Sequence, residues 1–362
     1  MSPQKIFAPA ALTALMGLAS GVHAQSLNLY GVIDIAAGSF QTSYQDGAVN
    51  PRATKVDSNQ MITSFWGLKG TEDLGGGLKA GFELEGFLRP DTGEAGRFGT
   101  SDTFWSRSAH LWLEGSYGKL SIGRQGTLLF ANTLSYNPLG SAFGLSPAIR
   151  LTFGASGNDY SDSGFSNAIS YATPTMGGFS AAAQVQFDED TETDKGKVYA
   201  LSLNYKAGPL AIGAAWQSVR TATAPKGGAA VTDLSNGAKQ TFGMLGVSYD
   251  AGFAKLFAQY GEFGNTGFTQ TRRIDTKLYT LGASVPVSKA GAVLVAYGES
   301  MEEAVEGGTT PDTDHSIFTL AYTHSLSKRT SLYTAYMMDK EDPDGVKWKT
   351  GHTYVVGVRH AF

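Results

Sequence analysis

The chain has 362 residues, 42% apolar and 17% charged, with 46 glycines and a net charge of −4. It has no cysteine, which excludes a disulfide scaffold, thiolate metal sites and a cysteine nucleophile. The small net charge and scattered basic residues exclude the basic footprint of a nucleic-acid partner.

Residues 1–24 read as a secretory signal peptide. Lys5 gives the positive start, Ile6 to Leu18 is a mostly apolar run, and Val22-His23-Ala24 resembles a small-residue cleavage site. The run is shorter than the ~20 residues a spanning helix needs. The remainder, 25–362, reads as one domain with no later apolar stretch of helical spanning length.

From Leu27 to Phe362 the sequence falls into 16 short alternating segments. The gaps between them are short, long, short, long. The short ones are tight turns such as Lys206-Ala207-Gly208-Pro209, Asp250-Ala251-Gly252 and Leu326-Ser327-Lys328. The long ones fall at about 41–60, 90–101, 127–165, 188–196, 220–238, 263–275, 301–313 and 339–351. An even number of antiparallel strands with turns on one side and loops on the other predicts a closed, membrane-spanning barrel. At this width such a barrel encloses water.

Parity assigns the faces. In the first segment Leu27, Leu29, Gly31, Ile33 and Ile35 point outward, and Asn28, Tyr30, Val32 and Asp34 inward. In the third, Leu78, Ala80, Phe82, Leu84, Gly86 and Leu88 oppose Lys79, Gly81, Glu83, Glu85, Phe87 and Arg89. In the eighth, Tyr199 and Tyr205 bracket Leu201 and Leu203, as interfacial girdles require. The last segment ends at Phe362 and is expected to close against the first. The third long gap carries eight large apolar residues, among them Leu129, Phe143, Ile149 and Leu151. It is expected to pack against the inner wall rather than stay disordered.

Several blocks resemble the Gram-negative general porins of beta-proteobacterial type. They are Leu29-Tyr30-Gly31-Val32-Ile33-Asp34, the run Gly67 to Ala80, Gly123-Arg124-Gln125, Ile169-Ser170-Tyr171 with Pro174, Gly177-Gly178-Phe179, Leu326 to Thr330, and Val356 to Phe362. The resemblance covers essentially the whole mature chain. It implies a 16-stranded outer-membrane barrel with short periplasmic turns, long extracellular loops and an inward-folded third loop. It implies a homotrimer in outer-membrane lipid that passes small hydrophilic solutes and ions without a cofactor, with Phe362 read by the barrel-insertion machinery. In this family a basic ladder faces the inward loop. Arg107 matches one rung, Phe65 stands where a second arginine is usual, and Gly164 where a third is. Anion preference is therefore in doubt, although Arg150 in the third loop offers a positive charge.

The candidate pore residues are Arg107, Phe65, Lys69, Glu83, Glu85, Arg89, Arg150, Asp159 and Asp162. By parity Arg107 shares a face with Leu111 and Leu113, so a bulge or a subunit contact is needed to bring it inside. Phe65, Phe104 and Trp105 form a candidate aromatic patch near the constriction, with girdle aromatics the alternative for Trp105. Gly75-Gly76-Gly77 reads as a turn, since the Lys-Ser or Lys-Thr of a phosphate loop does not follow. Glu83 and Glu85 lie ~7 Å apart on one face, a spacing compatible with glycoside hydrolysis, but wall charges in a pore explain them more simply. The rival readings are an adhesin or enzyme on the same barrel, and a secreted soluble β-sandwich.

Overall fold

The computed structural model describes residues 26–49, 51–97, 102–153, 163–187, 198–219, 239–269, 272–304 and 311–362. The leader at 1–24 and the carboxylates Asp159 and Asp162 lie outside the described residues.

Sixteen antiparallel strands form the wall. The first half comprises β1 (Ser26–Phe40), β2 in two pieces (Ala53–Ser58 and Phe65–Gly75), β3 (Leu78–Arg89), β4 (Ser108–Gly115), β5 (Gly118–Gly126), β6 (Gly164–Ala172), β7 (Phe179–Gln186) and β8 (Val198–Ala207). The second comprises β9 (Leu210–Val219), β10 (Gln240–Asp250), β11 (Lys255–Thr269), β12 (Arg272–Pro286), β13 (Gly291–Ala304), β14 (Thr313–Ser325), β15 (Thr330–Pro343) and β16 (Gly351–Ala361). Each strand pairs with the next, and β16 pairs with β1 from Val32↔Ala361 to Ser39↔Tyr354. Phe362 extends the seam: its N–H donates to the Gly31 carbonyl at 3.1 Å, and Gly31 N–H donates back at 3.3 Å. Its ring covers Gly31, where any Cβ would collide with it. Closure leaves no edge, the condition for a sheet in hydrocarbon, where unpaired backbone groups find no water.

The faces follow the alternation. Leu27, Leu29, Leu111, Leu113, Leu201, Leu203 and Val356 all stand exposed on the outside. That much unburied apolar surface suits lipid, not water. Gly75, Gly76 and Gly77 all take positive φ and join β2 to β3 as a turn.

Three segments differ from the sequence reading. The gap at 263–275 is mostly strand, since β11 and β12 stay paired to Thr269↔Arg272 across two register shifts. The gap at 41–60 contains the Ala53–Ser58 piece of β2. Residues 59–64 break that strand, and the buried Asp34 holds the break. Its Oδ2 accepts from the N–H groups of Met61 (2.6 Å) and Ile62 (2.7 Å), its own N–H donates to Ser64 Oγ, and Tyr333 Oη donates to Oδ1.

The third loop lies inside, as its apolar content predicts. It forms α1 (Leu128–Ser135), capped by Thr127, and α2 (Pro147–Phe153), begun by Ser146-Pro147. α1 packs along β7–β10 and α2 along β12–β14. The apolar core is therefore one-sided, between loop and wall. Leu129, Ile149 and Phe153 meet Phe242, Phe263 and Leu278 in one cluster, and Leu139, Leu145 and Leu151 meet Met61, Ile317 and Met337 in another. Inward glycines let the loop approach. A Cβ at Gly246 or Gly213 would strike the Tyr136 ring, one at Gly282 would strike Pro138, and one at Gly298 would strike Pro147 and Leu151.

Candidate functional site

Opposite those helices, β1–β4 carry a ladder of alternating cation and aromatic groups on the inward face. Register aligns Tyr30, Gly67, Glu85 and Ser108 in one row, and Asn28, Lys69, Glu83 and His110 in the next. Lys69 Nζ lies 4.2 Å over the Tyr30 ring, and Arg107 lies 4.0 Å over the Phe65 ring. Tyr30 and Phe65 meet edge to face at 6.0 Å. Such contacts hold a cation in place without a hydrogen-bond acceptor.

Arg107 reaches this face through a β-bulge. Ser108 is the register partner of Glu85, yet Arg107 N–H also donates to the Glu85 carbonyl at 3.1 Å. Two residues thus oppose one, which re-aims the side chain from the lipid side of Leu111 and Leu113 to the inside. The guanidinium is ion-paired to Glu85, whose other oxygen accepts from Tyr30 Oη at 2.7 Å. Glu85 is 2% exposed, so Arg107 is bound to a buried carboxylate rather than held free over the pore.

The remaining sequence candidates divide. Phe65, buried beneath Arg107, Lys69, Glu83 and Glu85 all belong to the ladder. Arg89 does not: it closes β3 at the loop end and pairs with Glu94. Arg150 is also absent from it. Its side chain is buried and donates to Asp339 Oδ2 at 2.9 Å, so it adds no free charge to the lumen. Gly164 lies beside the Arg124 guanidinium, which donates to Ser166 Oγ at 2.9 Å and to the Ser106 carbonyl at 2.6 Å. Phe104 and Trp105 sit apart from Phe65. They pack with Trp66, which parity places on the outer face, with centroids 4.8–6.2 Å apart.

At the loop end of the barrel, Arg97 clamps Asp102 through three bonds of 2.6–3.1 Å. Burial pushes the Asp102 carboxyl up, but the Arg97 bonds and charge outweigh it and hold it below its ordinary value. Lys349 and Asp46 join the first and last loops at 2.6 Å. Among the described residues no group of three or more His, Asp or Glu could hold a metal.

Sequence reasoning missed Asp34 as the hub of the broken strand, Glu85 as the partner of Arg107 and Asp339 as the partner of Arg150. Inward parity was the available signal for all three. It marks a charged residue on a wall but not the partner it meets there.

Comparison with known proteins agrees with this geometry. Residues 11–344 match the Gram-negative porin family. The chain is 33% identical to outer membrane porin protein 32 of Delftia acidovorans, over 97% of this chain and 98% of that one. It is 27% identical to an outer membrane porin protein of Bordetella pertussis, over 97% of this chain and 98% of that one. Its fold superposes on the anion-selective porin from Comamonas acidovorans with TM-score 0.72 and 30% identity, covering 94% of this chain and all of that one.

Proposed function

This chain belongs to the Gram-negative porin family, and we propose that its pore is a weakly selective member whose ladder charges are paired within the wall. It is an outer-membrane porin, a water-filled barrel for passive diffusion of small hydrophilic solutes and ions. The family points to a channel rather than a catalyst. In the finer reading nothing is turned over, the leader at 1–24 directs export, Phe362 is the signal read by the insertion machinery, and three copies assemble in lipid.

The observation that carries the selectivity reading is the Arg107–Glu85 ion pair stacked on Phe65. A fixed cation raises local anion concentration through a focused field. An ion pair presents a dipole, whose field falls faster. Lys69 stands opposite Glu83, so the four charges of the ladder sum to zero. The anion selectivity for which the Comamonas porin is named therefore extends to this chain at reduced strength.

Bilayer recording in a salt gradient tests this. A unit charge freed about 10 Å from the ion path is worth ~0.4 kcal/mol in water, about a twofold change in ion preference. Glu85→Gln, which leaves Arg107 uncompensated, shifts the zero-current potential toward anions by about that factor. An unmoved potential refutes the pairing argument. A purified protein giving no stepwise conductance refutes the channel.

A further inference from the structure

Behind α2, outside the ladder, the wall carries a buried ionic junction. Asp339 points inward from β15 and is 1% exposed. Its Oδ2 accepts from Arg150 Nη2 at 2.9 Å, and its Oδ1 from His315 Nε2 at 3.2 Å and from Ser43 N–H at 3.3 Å. These donors come from three places: α2 of the third loop, strand β14 and the first loop. Ser43 Oγ also donates to Glu341, two residues further along β15. Close by, Thr319 Oγ1 donates to the Leu145 carbonyl at 2.6 Å.

Apolar packing holds α2 to the wall, but it is non-directional and leaves the helix free to slide. A buried carboxylate is different. It tolerates only arrangements that keep its partners, since removing one leaves a desolvated charge. The surroundings are dry: Leu145 and Ile317 are fully buried, and Arg150 is 8% exposed.

We propose that Asp339 is a positioning residue for the constriction, fixing the second half of the third loop through Arg150 and the first loop through Ser43. It touches no permeating solute. It sets the pore by holding still the segment that narrows it. The inference uses the channel reading only because conductance reports loop position.

The test compares wild type with Asp339→Asn, Arg150→Gln, the double variant and Asp339→Glu. Each is purified as the heat-resistant barrel and recorded in planar bilayers, with liposome swelling by sugars of increasing size. Wild type is expected to hold one dominant conductance. A lost charge-assisted bond is worth roughly tenfold or more in the balance between seated and released loop. Asp339→Asn and Arg150→Gln therefore spend about tenfold more time at other conductance levels and change the size cutoff. The double variant, with no stranded charge, disturbs less than the sum of the singles, and Asp339→Glu restores much of the wild-type record. If Asp339→Asn does not assemble, Arg150→Gln reads the same junction from the loop side. Assembled variants with wild-type levels and cutoff, beside a conducting wild type, overturn the proposal and leave the channel reading intact. Lowered heat resistance with unchanged conductance overturns it too, as a purely structural role.

Discussion

Gly246→Ala is a one-methyl test of how the third loop is seated. The added Cβ would overlap Cγ and Cδ2 of the Tyr136 ring and lie 2.7 Å from the Tyr136 Cβ. Carbon atoms prefer ~3.5–4.0 Å, so even the mildest of these contacts is too close by about an ångström. The wall is paired on both sides of Gly246, to Gly213 and Gln259, and cannot yield. The ring must leave. Overpacking of this kind costs about 1–3 kcal/mol, which at ~1.4 kcal/mol per decade depletes the seated loop roughly fivefold to a hundredfold. The displaced loop has only the lumen to move into, so single-channel conductance falls. Gly243→Ala is the control, on the same strand and the outer face, with its nearest neighbour 3.7 Å away. The reasoning fails if Gly246→Ala conducts as wild type or better, or if Gly243→Ala lowers conductance equally.

Phe65→Arg places a second cation beside Arg107 with one carboxylate between them, and the zero-current potential moves toward anions by about twofold in permeability ratio. An unchanged potential would mean that position 65 does not sense the ion path. The Arg97–Asp102 clamp has an acid limit. Its carboxyl titrates below the ordinary value, so the stabilisation is complete above the unfolded pKa of ~3.9 and is lost as pH falls through the folded value. Proteolysis beside Arg97 and Asp102 in assembled protein should stay slow at neutral pH and rise in strong acid, whereas Arg97→Gln should be cut quickly at both. Deleting Phe362 removes two main-chain bonds to Gly31, each worth about 1 kcal/mol, together with the ring above it. The barrel should then lose its heat-resistant form at lower temperature, and an unshifted transition would show that the seam does not depend on its last residue.

The wall was legible because its physics is local. Inside and outside differ in solvent, so parity alone assigns Leu27, Tyr30, Leu84 and Glu85 to faces, and Gly75-Gly76-Gly77 announces a turn by composition. The inward loop was legible for the same reason, since residues as apolar as Leu129 and Ile149 need cover. The charges were not. Arg107 and Glu85 are 22 residues apart, and Arg150 and Asp339 are 189 apart. The first pair meets when β3 and β4 pair, the second only when the third loop docks on the closed wall, and no sequence period encodes either meeting. Residue 107 shows the limit most sharply. Alternation assigns it to lipid, and a bulge one residue long turns it inside.

That limit bears on how selectivity varies among barrels of this kind. Closure and greasy exterior constrain every second residue of every strand, so they tolerate little change and stay readable. The inward face is constrained where the third loop touches it, as at Gly246, Gly298 and Asp339, and where Asp34 holds the break in β2. Between those points wall charges pair with one another, as Arg107 does with Glu85. In this chain the result is a cation whose stacking and ion pairing both stay within the wall. The field an ion meets therefore depends less on how many arginines the wall carries than on how many lack a carboxylate within reach. On the proposal above, freeing Arg107 from Glu85 and restoring an arginine at 65 are therefore expected to move ion preference by a similar factor, about twofold each.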